Sequence, residues 1–224
     1  MAPFGASRAG LMSVDRDDIP DSDLTQYTVV DDNGDDITVV NESELNWTDT
    51  LGVNKEDHVF RAIDVNKYQK FTNTFDIEHT GFVNDEDLEF DSFMSGIAVG
   101  DSVIGDNEFV GMVVGDNRTN VDNLSVFIVT EPSDNLHNDP VYEDSNATEV
   151  FGTFGRNDTV SISIDYDFEI GELSVSARGN TETQSFDETR DWSFHHVIAT
   201  GPDIGFSLPG TNSGELTNHS FEEL

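Results

Sequence analysis

Hydrophobic residues recur at every second position through much of the chain. Val160, Ile162, Ile164, Tyr166 and Phe168 alternate with polar residues, and after a turn at Gly171 the same period returns at Leu173, Val175 and Ala177. Phe71, Phe75 and Ile77 share one parity, as do Leu124, Val126 and Ile128, and again Trp192, Phe194, His196 and Ile198. Two denser apolar runs lie at residues 93–99 and 109–114, between turns rich in Gly and Asp. Successive side chains of a strand point to opposite faces, so a period of two predicts strands with one buried face. No convincing amphipathic helix of ten or more residues is visible. Many such strands, punctuated by Gly, Asn and Asp, predict an all-β antiparallel β-sandwich over residues 58–224.

The residues before the sandwich divide in two. Tyr27-Thr28-Val29-Val30 and Ile37-Thr38-Val39-Val40 flank Asp31-Asp32-Asn33-Gly34-Asp35-Asp36. Asn-Gly fits both central positions of a type I′ turn, so residues 26–57 are expected to form a small β-hairpin region. Residues 1–25 read as an extended N-terminal arm and acidic linker. Residues 1–13 contain no acidic residue at all. Two readings stand: a flexible terminus, or an arm that docks on a neighbouring protein through Phe4, Arg8, Leu11 and Met12.

Charge changes the picture. The chain carries 46 Asp and Glu against 10 Lys and Arg, a formal net charge of −36. Such a surface excludes nucleic-acid binding through a basic face and is repelled by anionic lipid. No apolar run approaches the roughly 18–20 residues of a membrane span, and no signal peptide is visible. The absence of cysteine excludes disulfides, thiol catalysis and cysteine zinc sites. The 16 Phe and the ordered alternation argue for a fold rather than disorder. Acid spread along the whole chain is expected of a protein made in a high-salt archaeal cytoplasm. At about 1 M salt the Debye length falls to about 3 Å, which screens carboxylate repulsion. Most carboxylates are then solvation rather than chemistry.

Candidate chemistry is judged against that background. Asp85, Asp87 and Glu89 lie at i, i+2 and i+4, which on a strand places three carboxylates on one face. The same residues also read as an acidic turn. His195 and His196 are adjacent, so on a strand they face opposite ways and do not easily share one metal. The other histidines show no zinc spacing, and no metal site is assigned. Asp106, Asn107, Asp116 and Asn117 occupy Gly-Asp turns of a kind that suits sugar hydroxyls or calcium, so calcium is the one ion entertained. Asn-x-Ser/Thr sequons begin at Asn41, Asn46, Asn117, Asn123, Asn146, Asn157 and Asn218, candidates for glycosylation on a surface.

The segment from Ile162 to Ser176, with its apolar alternation, Tyr166-Asp167, a turn and Leu173-Ser174-Val175, resembles the long central hairpin of concanavalin A-like lectin/glucanase sandwiches. Phe71 to Ile77 resembles an early strand of such domains, and Trp192-Ser193-Phe194-His195-His196-Val197 a late one. The resemblance spans about residues 60–224 and implies a jelly-roll or concanavalin A-like topology, with carbohydrate recognition as a further role. Glucanases of that class carry Glu-x-Asp-x-Glu. Here Asp85 replaces the first Glu, which leaves only Asp87 and Glu89 for a glycoside hydrolase reading and favours a non-enzymatic protein. Separately, Phe4-Gly5-Ala6-Ser7-Arg8-Ala9-Gly10-Leu11-Met12-Ser13 resembles the opening of small structural proteins of tailed haloarchaeal viruses. Together these imply a homo-oligomeric virion surface protein in capsid decoration, a vertex turret or the tail. It would attach to other virion proteins by its arm and present the sandwich to a host-surface glycan. The alternative is a halophilic carbohydrate-binding module of a cellular protein.

Overall fold

The computed structural model describes residues 22–30, 37–50, 57–67, 69–81, 91–100, 109–116, 124–130, 147–200 and 211–224. The alternating segments become strands β1 (Thr28–Val30), β2 (Ile37–Asn41), β3 (Glu44–Thr50), β4 (Asp57–Ala62), β5 (Lys70–Gly81), β6 (Asp91–Ala98) and β7 (Phe109–Asp116). They continue as β8 (Leu124–Thr130), β9 (Ala147–Phe154), β10 (Thr159–Asp167), β11 (Glu172–Ala177), β12 (Asn180–Ser185), β13 (Phe194–Thr200) and β14 (Thr211–Glu223). A 3₁₀ turn at Leu24–Gln26 is the only helical element among the described residues. Sheet I has seven strands in the order β1-β4-β13-β6-β7-β8-β9, and sheet II seven in the order β12-β11-β10-β5-β14-β3-β2. All strand pairings among the described residues are antiparallel. The chain is an antiparallel β-sandwich, as the alternation predicts.

Register explains the core. In sheet II, Tyr166 pairs with both Phe71 and Leu173, and Ile162 with both Phe75 and Ala177. All of these are buried. Phe71 packs on Phe221, Tyr166 and Phe168 with ring centroids 4.7–5.7 Å apart. The Tyr166 hydroxyl donates to the Val110 carbonyl of sheet I at 3.4 Å, and burial raises its pKa well above 10. Each large side chain fully buried in this way contributes roughly 1.5–3 kcal/mol. Gly214 admits the indole of Trp47: a Cβ there would lie 2.4 Å from the ring and from the Glu78 carbonyl.

The dense apolar runs behave differently from the alternating ones. Phe93, Ile97, Val110, Met112 and Val114 point into the sandwich, while Met94, Ala98, Phe109, Val113, Phe127 and Val129 form a second buried cluster. By strand alternation that second cluster lies on the far face of sheet I. Continuous apolar strands are those buried on both faces, and β8 is buried at every position.

Two local expectations are corrected. The two segments on either side of residues 31–36 belong to different sheets: β1 pairs with β4 in sheet I, and β2 pairs with β3 in sheet II. An isolated two-stranded hairpin is marginal in water, whereas Ile37 and Val39 here pair with Trp47 and Leu45 on a large sheet. The shared parity of Trp192, Phe194, His196 and Ile198 is also broken. A bulge between His196 and Ile198 turns His196 to the far face and Ile198 into the core.

Candidate functional site

The alternation that buries Phe71, Phe75, Ile162 and Val175 turns short polar residues outward on sheet II. Thr181, Ser176, Ser163, Thr74 and Ser220 follow one another across β12, β11, β10, β5 and β14 by successive pairing. The row is cross-linked. Ser176 and Thr181 hydroxyls lie 2.7 Å apart, as do Ser174 and Thr183 in the next row, and Thr72 reaches Ser163 at 3.3 Å. Short hydroxyl side chains both donate and accept, so this face presents a row of hydrogen-bonding groups.

A groove of about 420 Å³ opens in that face, with Thr74, Asp76, Ser161, Ser163, Ser176, Arg178 and Asn218 among its lining residues. Its polar walls stand on two backbone irregularities. Asn218 occupies a break in the β14–β5 register with φ 55°, and its Nδ2 donates to Asp76 Oδ2 at 2.8 Å. Arg178 and Gly179 form the two-residue turn between β11 and β12, since Ala177 pairs with Asn180. Their φ values are 47° and 83°, as a type I′ turn requires. Gly takes that conformation freely, but an Arg there costs roughly 1–2 kcal/mol.

The Arg178 guanidinium is fixed at the groove edge. Nη2 donates to the Thr159 carbonyl at 3.1 Å and lies 3.8 Å from Asp158 Oδ2, and the group sits 5.4 Å from the centroid of the Phe151 ring. Nε and Nη1 make no hydrogen bond among the described residues. The ionisable groups lining the groove are Asp76 and Arg178, which balance in charge on a chain that is otherwise heavily anionic.

The histidines are interior. His195 points between the sheets, its Nε2 3.1 Å from Asn73 Nδ2 and its Nδ1 3.4 Å from the Tyr27 hydroxyl. His219 Nδ1 donates to the Ser22 carbonyl at 2.9 Å. Burial lowers the pKa of His79 to about 3 and of His219 to about 4, and holds His195 well below its usual value. These rings are neutral packing groups. His196 lies on the far face of sheet I, stacked on Phe60 at 5.3 Å, so the neighbouring pair does diverge as alternation requires. No group of three or more His, Cys, Asp or Glu able to hold a metal occurs among the described residues.

Other residues singled out from sequence fall elsewhere. Asp106, Asn107 and Asn117 lie outside the described residues, as do Asp85, Asp87 and Glu89, and the arm residues Phe4, Arg8, Leu11 and Met12. Asp116 ends β7, and its side chain is likewise outside the description. The groove itself was readable only as unexplained Ser and Thr at alternate positions and an Arg-Gly turn. Of the sequons, Asn41, Asn46, Asn157 and Asn218 are exposed.

Neither a family model nor a curated relative matches this sequence. Solved structures do. An alginate lyase from Pseudomonas aeruginosa shares 13% identity with a TM-score of 0.55, covering 90% of this chain and 100% of its own. A legume lectin-like domain from Entamoeba histolytica shares 13% identity with a TM-score of 0.54, covering 90% and 91%. A sialidase shares 11% identity with a TM-score of 0.55 over 89% of this chain, which spans 17% of the sialidase's length. At these identities the likeness is one of fold alone: these proteins share the antiparallel β-sandwich.

Proposed function

We propose that this protein is a non-catalytic carbohydrate-binding sandwich at the surface of a halophilic virus particle, in capsid decoration, a turret or the tail. The observation that carries the binding reading is the groove on sheet II. It sets a carboxylate (Asp76), an amide (Asn218), a guanidinium (Arg178) and a floor of hydroxyls in one cleft. Sugar hydroxyls both donate and accept, and such a mixed lining satisfies both roles. The likeness of the fold to a lectin-like domain and to an alginate lyase supports a carbohydrate ligand. Asp76 is the carboxylate of that lining, whereas acid–base glycoside hydrolysis ordinarily uses two. Binding without turnover fits this arrangement better.

The virion role rests on the sequence. The acid-free segment 1–13 on so acidic a chain suits attachment to other virion proteins, with the sandwich displayed as a homo-oligomer toward a host-surface glycan. The decisive experiment is calorimetric titration of the full chain with a glycan panel in molar KCl. Saturable binding weakened about tenfold or more by Asp76→Ala, equivalent to 1.4 kcal/mol, supports the reading. A wild type inert to the panel overturns it. Immunogold labelling of purified particles in molar salt tests the location. Gold at one defined place supports a virion component, and unlabelled particles move the same groove to a cellular sugar-binding module.

A further inference from the structure

We infer that the groove on sheet II selects an anionic, carboxylate-bearing sugar, held by the Arg178 guanidinium while its hydroxyls engage Asp76, Asn218 and the row of Ser and Thr. This rests on the carbohydrate reading above and deepens it.

The chain has only 10 Lys and Arg among 224 residues, and one of them lines the groove. Arg178 occupies a turn position that Asn or Gly would take with less strain, so turn formation alone does not call for it. Its side chain is 37% exposed. Nη2 is tied to Thr159 and lies 3.8 Å from Asp158 Oδ2, and the group rests over Phe151, which orients the fork and leaves the second Nη2 hydrogen, beside Nε on one edge or Nη1 on the other, without a hydrogen bond among the described residues. A pre-oriented guanidinium matches a planar carboxylate in a two-pronged geometry that a lysine ammonium does not reproduce.

The rest of the lining complements a sugar ring rather than a second cation. Asp76 and Asn218 are already bonded to each other at 2.8 Å. Together they present acceptor and amide atoms to vicinal hydroxyls across the groove from Arg178. Thr74, Ser163 and Ser176 supply hydroxyls to the lining, with Phe75, Ile162 and Ala177 between them. A carboxylated glycan approaching a chain of net charge −36 is repelled at low salt. In molar salt the Debye length of about 3 Å confines that repulsion to near neighbours, while a contact pair at hydrogen-bond distance persists.

The test compares an oligoglucuronate with the same oligosaccharide after reduction of its carboxylates, titrated into the full chain in molar KCl, for wild type, Arg178→Asn and Arg178→Lys. The wild type is expected to bind the acidic form at least about tenfold more tightly. Arg178→Asn should lose that preference while its melting temperature stays level or rises, because Asn-Gly suits the turn better. A merely structural arginine would lower the melting temperature instead. Arg178→Lys should fall between the two. Equal wild-type affinity for the acidic and reduced sugars overturns the selection for acid but leaves carbohydrate binding standing. A preference that survives in Arg178→Asn overturns the role of this residue. Binding to neither sugar, nor to the wider glycan panel, removes the carbohydrate reading and this inference with it.

Discussion

The two sheets have equal strand number and share one core, yet their far faces are opposites. On sheet I the residues turned away from the core are Met94, Phe109, Val113, Phe127 and Val129, all buried. On sheet II they are Thr72, Thr74, Ser163, Ser174 and Ser176, partly exposed and linked by hydroxyl contacts. Backbone pairing is the same on both sides, so the difference is written wholly in side chains. A strand that is apolar at every position is committed to burial on both faces. A strand that alternates leaves one face for chemistry, and the groove lies on that face.

The largest expected effect breaks the comparison at sheet I. Phe109→Ala should cost about 3–5 kcal/mol, as for other buried Phe truncations, whereas Thr74→Ala on sheet II should stay within about 0.5 kcal/mol. Denaturant melts in molar salt measure both, and equal losses would mean the far faces are not distinct. The second effect concerns the interior they share. His79 has a buried-state pKa of about 3 against 6.5 when unfolded, so the unfolded chain binds the extra proton as pH falls. Its contribution is whole above pH about 6.5 and declines by about 1.4 kcal/mol per pH unit towards pH 3. His219 behaves alike down to about pH 4. Between pH 7 and 4.5 the urea midpoint of the wild type should fall relative to that of His79→Leu as the solution is acidified.

Smaller effects sharpen the picture within sheet II. Gly214→Ala forces a methyl against Trp47 and the Glu78 carbonyl, and should cost about 1–3 kcal/mol, read as a shift in melting temperature. At the opposite, solvent side of the same sheet, Arg178→Asn should gain up to about 1 kcal/mol by easing the turn. A loss there would show that the Thr159 and Phe151 contacts outweigh the strain.

How much of this was visible in the sequence follows from what each feature depends on. Period-two alternation at Val160 to Phe168 and at Leu173 to Ala177 is local, and it located β10, β11 and their inward faces. The partnership of β2 with β3 rather than with β1 depends on where Trp47 and Leu45 can be buried, which no Asn-Gly signal encodes. The bulge after His196 shifts parity by one residue and leaves no mark in composition. The groove was illegible for a similar reason. Thr74, Ser163, Ser176 and Ser220 are far apart in the chain and meet only through register, and Asn218 and Arg178 face them only because both adopt positive φ.

The closing strand has a mechanical meaning. Ser22, where the described chain begins, hands its carbonyl to His219 of β14 at 2.9 Å, and Leu24 is buried with its N–H on the Glu42 carbonyl at 2.8 Å. β14 is an inner strand of sheet II, flanked by β5 and β3. Tension applied from the N-terminal side of Ser22 meets this bond to an inner strand of sheet II before it passes along the chain to β1, an edge strand of sheet I. An edge strand peels one bond at a time, so the His219 and Glu42 contacts are what stand between a pull on this segment and the loss of β1. One side-chain hydrogen bond to an inner strand thus guards the edge of the other sheet.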